Sequence, residues 1–140
     1  MIVVDASLVV KLFRDEPYSD LAEKIYAEYS GELAAPDLIA VEVAAALVRN
    51  ANMFKPSRPF IEMALAEFGQ MLRDVTIALH RLSDRQLALA ANRAIDLGHP
   101  LKDCIYLALA MELGCDLVTC DAQFAVKAKG VWAGVRVLGE

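Results

Sequence analysis

Short apolar runs alternate along this chain with longer segments in which apolar residues recur every three or four positions. The short runs are typical of buried strands, and the longer segments are typical of helices. The predicted strands cover residues 2–5, 32–36, 75–79, 116–120 and 135–138, and the predicted helices cover 6–13, 18–30, 37–50, 56–74, 83–97, 102–113 and 122–129. Strands that alternate with helices form a parallel sheet covered on both faces. We therefore predict a three-layer α/β/α fold with a central parallel sheet of about five strands.

The length and composition are those of one compact unit. The chain has 140 residues and no linker or repeat, so we predict a single domain over residues 1–140. Hydrophobic residues make up 57% of the chain, above the roughly 45–50% of soluble domains, which suggests additional apolar surface such as an oligomer interface.

The expected location is the cytoplasm. No apolar run reaches the roughly 18 residues that a membrane span requires, and residues 1–5 lack the basic start of a signal peptide. The three cysteines, Cys104, Cys115 and Cys120, have no metal-binding spacing, and we interpret them as reduced thiols.

The net charge of −5 argues against a large surface that neutralises phosphates. It does not exclude nucleic acid as a substrate, because cations bound in an acidic cleft can meet a phosphate locally.

Two aspartates lie at the carboxyl ends of predicted strands and precede predicted helices. Asp5 follows residues 2–4, and Asp121 follows residues 117–120. In parallel sheets the functional site usually lies beyond the carboxyl ends of the strands, so both acids are expected at one edge. The alternative for each is a helix N-cap, a common role of aspartate.

Two further acids lie in predicted helices. Asp103 is in a first turn, where a carboxylate also complements the helix dipole. Glu42 is in the middle of the helix at 37–50, which is apolar nearly all round and is therefore expected to be buried on every side. A buried carboxylate is costly unless it is paired or bound to a cation. The alternative is a salt bridge to Arg49 or another base.

Four acids that converge would repel one another, and they would either take up protons or bind a hard cation. Oxygen ligands favour Mg²⁺ or Mn²⁺ over zinc. Such ions polarise phosphoryl oxygens and activate bound water. The set therefore predicts metal-dependent phosphoester chemistry.

Four segments resemble the motifs of the PIN domain family, and within it the VapC-type toxins of toxin–antitoxin pairs. The segments are residues 2–7, 36–43, 101–110 and 117–124, each containing one of the four acids, and their order and spacing agree over essentially the whole chain. One mild departure is Cys104, which follows Asp103 where a small residue is more usual.

The resemblance implies a PIN-like fold and cleavage of RNA phosphodiesters that depends on Mg²⁺ or Mn²⁺. It makes Asp5 and Asp103 the firmest metal ligands, with Glu42 and Asp121 completing the cluster directly or through water. Ser7 and Thr119 would orient ligands or water, although each could simply be a hydroxyl at a helix start or strand end. The resemblance also implies a homodimer and a small antitoxin that blocks the site.

Six basic residues could line a path for RNA or form an ordinary solvated surface: Lys11, Arg14, Arg49, Lys55, Arg58 and Lys102. We place His80 and His99 at loop boundaries and expect no catalytic role for either.

Two other functions compete with this prediction. A catalytically inert PIN-like module that binds RNA or protein would need no metal, and the intact acidic set argues against it. A phosphatase of the haloacid-dehalogenase type also carries an Asp after its first strand, but that chemistry requires a second Asp at the position of Ser7.

Overall fold

A computed structural model describes residues 1–140 and contains one five-stranded sheet. Its strands are β1 (Ile2–Val4), β2 (Leu33–Pro36), β3 (Ile77–His80), β4 (Asp116–Thr119) and β5 (Val135–Val137). Their order across the sheet is β3-β2-β1-β4-β5, and every neighbouring pair is parallel. The predicted parallel sheet is confirmed, and β1 is its central strand.

Seven α-helices connect and cover the strands. They are α1 (Ala6–Val10), α2 (Ser19–Glu28), α3 (Leu38–Met53), α4 (Arg58–Arg73), α5 (Asp84–Leu97), α6 (Leu101–Leu113) and α7 (Ala122–Ala128), and a 3₁₀ turn at Lys55–Ser57 leads into α4. The layers are those of the predicted α/β/α fold.

Capping residues fix the limits of α5 and α6. Ser83 and Gln86 form a capping box at the start of α5. Gly98 and Gly114 end α5 and α6 with φ of 59° and 63°, a left-handed conformation that glycine adopts without steric cost. The tight turn after α5 sets the point at which α6 begins, and so it places Asp103 in the first turn of α6.

Helix α6 occupies the centre of the molecule. It contacts β1, β2 and β4 as well as α5, and every residue from Cys104 to Ala110 is buried. A helix enclosed in this way is apolar on all sides. The acid at its amino end is therefore held on a rigid support.

The sequence-based expectation for α3 was wrong on one point, since this helix is not buried on every side. Only Ile39, Val43 and Leu47 are buried, whereas Val41 is 69% exposed. An apolar pattern reports surface that avoids water, and it cannot distinguish a core from an interface with another chain.

None of the helices is both long enough and apolar enough to span a lipid bilayer.

Candidate metal centre

Asp5 lies at the carboxyl end of the central strand and is buried. Its Oδ1 accepts hydrogen bonds from the Ser7 hydroxyl at 2.5 Å and from the Leu8 N–H at 3.2 Å. The second bond caps α1, so Asp5 does serve as a helix cap.

The pKa of Asp5 is raised from 3.8 to about 6, and burial is the largest cause. The nearby charge of Asp103 raises it further, while hydrogen bonds from Ser7, Thr119 and Leu8 lower it. Burial and a neighbouring carboxylate both disfavour the ionised form. A cation bound beside Asp5 would stabilise that form.

Asp121 lies just beyond the end of β4, which neighbours β1 in the sheet. Its Oδ1 accepts the Phe124 N–H at 2.9 Å and caps α7, and its own N–H donates to Thr119 Oγ1 at 3.1 Å. The capping role is thus present at both strand-end acids. It does not compete with cation binding, because it occupies only one oxygen of the Asp121 carboxylate.

Ser7 and Thr119 connect the two strand ends. The Ser7 hydroxyl donates to Asp5 and accepts the Cys120 N–H at 3.3 Å. Thr119 is fully buried and hydrogen-bonds to the Asp5 side chain while accepting the Asp121 N–H. Both hydroxyls are therefore in contact with the acids that they were expected to orient.

Asp103 projects from the first turn of α6 and meets His99. His99 Nε2 lies 2.6 Å from Asp103 Oδ2. One ligand atom each from His99, Asp103 and Asp121 all lie within 4.8 Å of one another, which is close enough to hold a single metal ion. No other three or more histidine, cysteine, aspartate or glutamate side chains of the molecule lie this close together.

Glu42 is not a member of this group and has two partners of its own. Its Oε1 accepts the Tyr106 hydroxyl at 2.7 Å, and its Oε2 lies 3.3 Å from Lys102 Nζ. Burial and the hydrogen bond to Glu42 raise the pKa of Tyr106, so this hydroxyl keeps its proton and donates it. The salt-bridge alternative is realised with Lys102 rather than Arg49. Because Lys102 is 67% exposed, that pair is screened by water and weak.

The four predicted acids therefore lie on the same side of the sheet, but they are not equivalent. Asp103 and Asp121 belong to the tight group. Asp5 lies outside it, close enough to Asp103 for the two charges to interact. Glu42 also lies outside it, and the charges of Glu42 and Asp5 both raise the pKa of Tyr106.

Two residues of this centre were missed by sequence reasoning. His99 was expected to lie at a loop boundary without a catalytic role, and Tyr106 was not singled out. For His99 the sequence offered no signal, because this residue lies in the turn between α5 and α6. For Tyr106 the signal was a hydroxyl among otherwise apolar neighbours in α6.

A groove of about 520 Å³ runs beside Glu42. Four basic side chains line it: Lys11, Arg14, Arg49 and Lys102. Lys11 and Arg14 both pair with Glu16, at 3.2 Å and 3.1 Å. With Glu16 and Glu42 as its acids, the groove has an excess of positive charge next to an acidic centre.

The sequence model of the PIN domain matches residues 2–130. The chain belongs to the PIN domain family. No curated protein matches the sequence.

Several solved structures have the same fold. PAE2754 from Pyrobaculum aerophilum is 21% identical, with 98% of this chain and 90% of that chain covered and a TM-score of 0.64. A toxin–antitoxin complex from Klebsiella pneumoniae is 18% identical, with 100% and 99% covered and a TM-score of 0.67. VapC20 of Mycobacterium tuberculosis, a toxin that cleaves the sarcin–ricin loop, is 14% identical, with 90% and 94% covered and a TM-score of 0.70. At these identities the likeness establishes the fold.

Proposed function

We propose that this protein is a divalent-metal-dependent endoribonuclease and the toxin of a type II toxin–antitoxin pair. The observation that carries the proposal is the convergence of Asp103, Asp121 and His99 within 4.8 Å at the sheet edge where Asp5 also lies. Membership of the PIN domain family and the likeness to a toxin–antitoxin complex and to a toxin support it.

The proposed metal ligands are Asp5, Glu42, Asp103 and Asp121, and the proposed ion is Mg²⁺ or Mn²⁺. A bound divalent ion would polarise a phosphoryl oxygen and lower the pKa of a bound water. The protein's own residues supply the geometry. Ser7 and Thr119 fix the Asp5 carboxylate, and α6 fixes Asp103.

Tyr106 and Lys102 would hold Glu42 at the side of the centre that opens into the groove. A carboxylate in that position could contact the ion through a bound water and orient that water toward a scissile phosphate.

The substrate proposed for the groove is single-stranded or looped RNA. The basic side chains along the groove match a phosphate backbone, and the acidic centre lies at its side. The overall charge of −5 is compatible with this proposal, because the groove itself has four basic side chains against two acidic ones where the backbone would lie.

Two protein partners belong to the proposal: a second copy of this chain and a small antitoxin. Of the fourteen large apolar residues that are exposed, six fall between residues 41 and 63. Apolar surface concentrated in this way is typical of a contact between proteins. The toxin–antitoxin complex among the structural neighbours supports the antitoxin.

The decisive experiment is cleavage of a mixed RNA pool by the purified protein, with the products mapped by sequencing. Cleavage is expected with Mg²⁺ or Mn²⁺, and it should be lost in EDTA and in the variants Asp103→Asn and Asp121→Asn. The matched control is Asp96→Asn, an exposed aspartate on α5 that pairs only with Arg93, and it should cleave normally. Equal cleavage by all variants would overturn the proposal.

The rival function is an inert binding module. It predicts RNA or protein binding without cleavage and without metal uptake. Calorimetry with Mn²⁺ separates the two functions, since a module without catalytic activity needs no ion.

A further inference from the structure

The ring of His99 is held rigidly at the metal centre. Its side chain is 10% exposed, and its ring packs against Phe124 with the centroids 4.7 Å apart. Its backbone N–H donates to the Ala94 carbonyl across the turn that ends α5. A side chain restrained at both backbone and ring loses little further entropy when it binds a ligand.

The distances suit a shared ion. His99 Nε2 lies 2.6 Å from Asp103 Oδ2, and a carboxylate oxygen of Asp121 completes a set whose members are all within 4.8 Å of one another. Around a six-coordinate ion with bonds of about 2.1 Å, adjacent ligands are about 3 Å apart and opposite ligands about 4.2 Å. One ion can therefore reach all three side chains after a small separation of His99 from Asp103.

We propose that His99 is a nitrogen ligand of the ion held by Asp103 and Asp121, and that it makes this centre select Mn²⁺ over Mg²⁺. Imidazole binds transition-metal ions well, whereas Mg²⁺ prefers oxygen ligands and retains its water. The four carboxylates alone would form an oxygen site with little preference between the two ions. A single imidazole changes the chemistry of that donor set.

This inference rests on the proposed function for the presence of a divalent ion, but not on the cleavage of RNA. The competing role for His99 is purely structural, a hydrogen bond that orients the Asp103 carboxylate. The two roles differ in the metal to which they respond. A ligand affects Mn²⁺ more than Mg²⁺, whereas an orienting hydrogen bond affects both ions alike.

Two substitutions separate these roles. His99→Gln keeps an N–H donor for Asp103 Oδ2 but removes the imidazole, and His99→Ala removes both. His80→Gln is the matched control, because His80 is the last residue of β3, which is an edge strand of the sheet and is not adjacent to β1 or β4. Circular dichroism of each variant checks that the fold is kept.

The first measurement is the affinity of the full-length protein for Mn²⁺ and Mg²⁺ by calorimetry. We expect the ratio of the two affinities to fall by about tenfold or more, which equals about 1.4 kcal/mol, in both His99→Gln and His99→Ala, with no change in His80→Gln. A ratio of Mn²⁺ to Mg²⁺ affinity that is unchanged in both variants would overturn the inference. The same holds if His99→Gln keeps the ratio while His99→Ala loses affinity for both ions, since that is the result of an orienting hydrogen bond.

The second measurement needs no variant. Pulsed electron paramagnetic resonance of Mn²⁺ bound to the unaltered protein should detect a directly coordinated ¹⁴N nucleus, and His99→Gln should lose that signal. Bound Mn²⁺ without nitrogen coupling, or no uptake of Mn²⁺, contradicts the role of His99. RNA cleavage assayed on the same preparations tests the proposed ribonuclease separately. Nitrogen coupling without cleavage would exclude the proposed function and still support His99 as a metal ligand.

Discussion

Asp5 is a buried carboxyl group whose pKa is raised from 3.8 to about 6, and this shift makes stability depend on pH. Between these two values the folded protein holds a proton that the unfolded chain has released. The free energy of unfolding of the metal-free protein should therefore fall as pH rises through this window, by up to about 3 kcal/mol.

The variant Asp5→Asn carries no such proton, so its stability should not fall over the same range. Urea unfolding in EDTA from pH 4 to 7, for this variant and for the unaltered protein, measures the difference directly. We expect the free energy of unfolding of the variant to increase relative to that of the unaltered protein as pH rises, and to be the larger of the two at pH 7. Parallel pH profiles would show that burial does not penalise the Asp5 charge.

The hydroxyl of Tyr106 donates a hydrogen bond to Glu42 Oε1, with the two oxygens 2.7 Å apart. Replacing it in Tyr106→Phe leaves Glu42 with the exposed Lys102 alone, and we expect a loss of stability of about 1.5 kcal/mol together with slower RNA cleavage. Urea unfolding and single-turnover cleavage measure the two effects.

Tyr26→Phe is the matched control for that substitution. Tyr26 packs against the core from α2 but makes no side-chain hydrogen bond, so its loss should cost less than about 0.5 kcal/mol. If both variants behave alike, the contact with Glu42 contributes nothing particular.

The positions of Asp5 and Asp121 could be predicted because each follows a strand and the carboxyl ends of parallel strands share one edge. His99 could not be predicted in the same way. It precedes Pro100 and lies outside the helix, so helical periodicity does not apply to it. Its approach to Asp103 depends on the left-handed turn at Gly98, which a sequence pattern does not describe in three dimensions.

At the level of elements, each strand and helix was expected close to where it lies, because apolar periodicity and capping residues are local signals. The face that each helix buries is not a local property. Helix α3 has apolar residues on all sides, yet only one of its faces is buried in the core. Its other apolar residues are exposed, as are some of those on α4. The sequence of one chain therefore does not show whether an apolar helix face packs in its own core or against a partner.

This surface gives the prediction for α3 and α4. The double variant Val48→Glu/Met63→Glu places charges at positions whose side chains are 46% and 64% exposed. It should convert the proposed homodimer into monomers without unfolding the chain, because buried charge at an interface is costly. Sedimentation velocity measures the mass.

Ile95→Glu serves as the control, since Ile95 is an exposed apolar residue on α5. It should leave the mass unchanged. A protein that is already monomeric, or a double variant that still dimerises, would exclude this surface as the contact between two copies.

At the level of the whole molecule, charge is distributed unevenly, with basic side chains gathered in the groove beside an acidic centre. Arg49 is the groove cation that makes no ion pair with the protein, so it is available to a phosphate. Arg49→Ala should weaken RNA binding and reduce the slope of log affinity against log salt concentration by about one. The cleavage rate of bound RNA should change little.

Arg85→Ala on α5 is the control for charge alone, because Arg85 is exposed and also makes no ion pair. Fluorescence anisotropy of a labelled, uncleavable RNA at several salt concentrations measures both. Equal losses in the two variants would mean that net charge, rather than the groove, attracts RNA.

The central strand is the first to be synthesised, yet one of its two neighbours, β4, is among the last. Asp5 therefore leaves the ribosome long before Asp103 and Asp121 exist, and the acids can meet only when the carboxyl-terminal segment has emerged. Under the proposed function, a nascent chain would lack a complete centre with which to cleave RNA, including the RNA of the ribosome that is synthesising it.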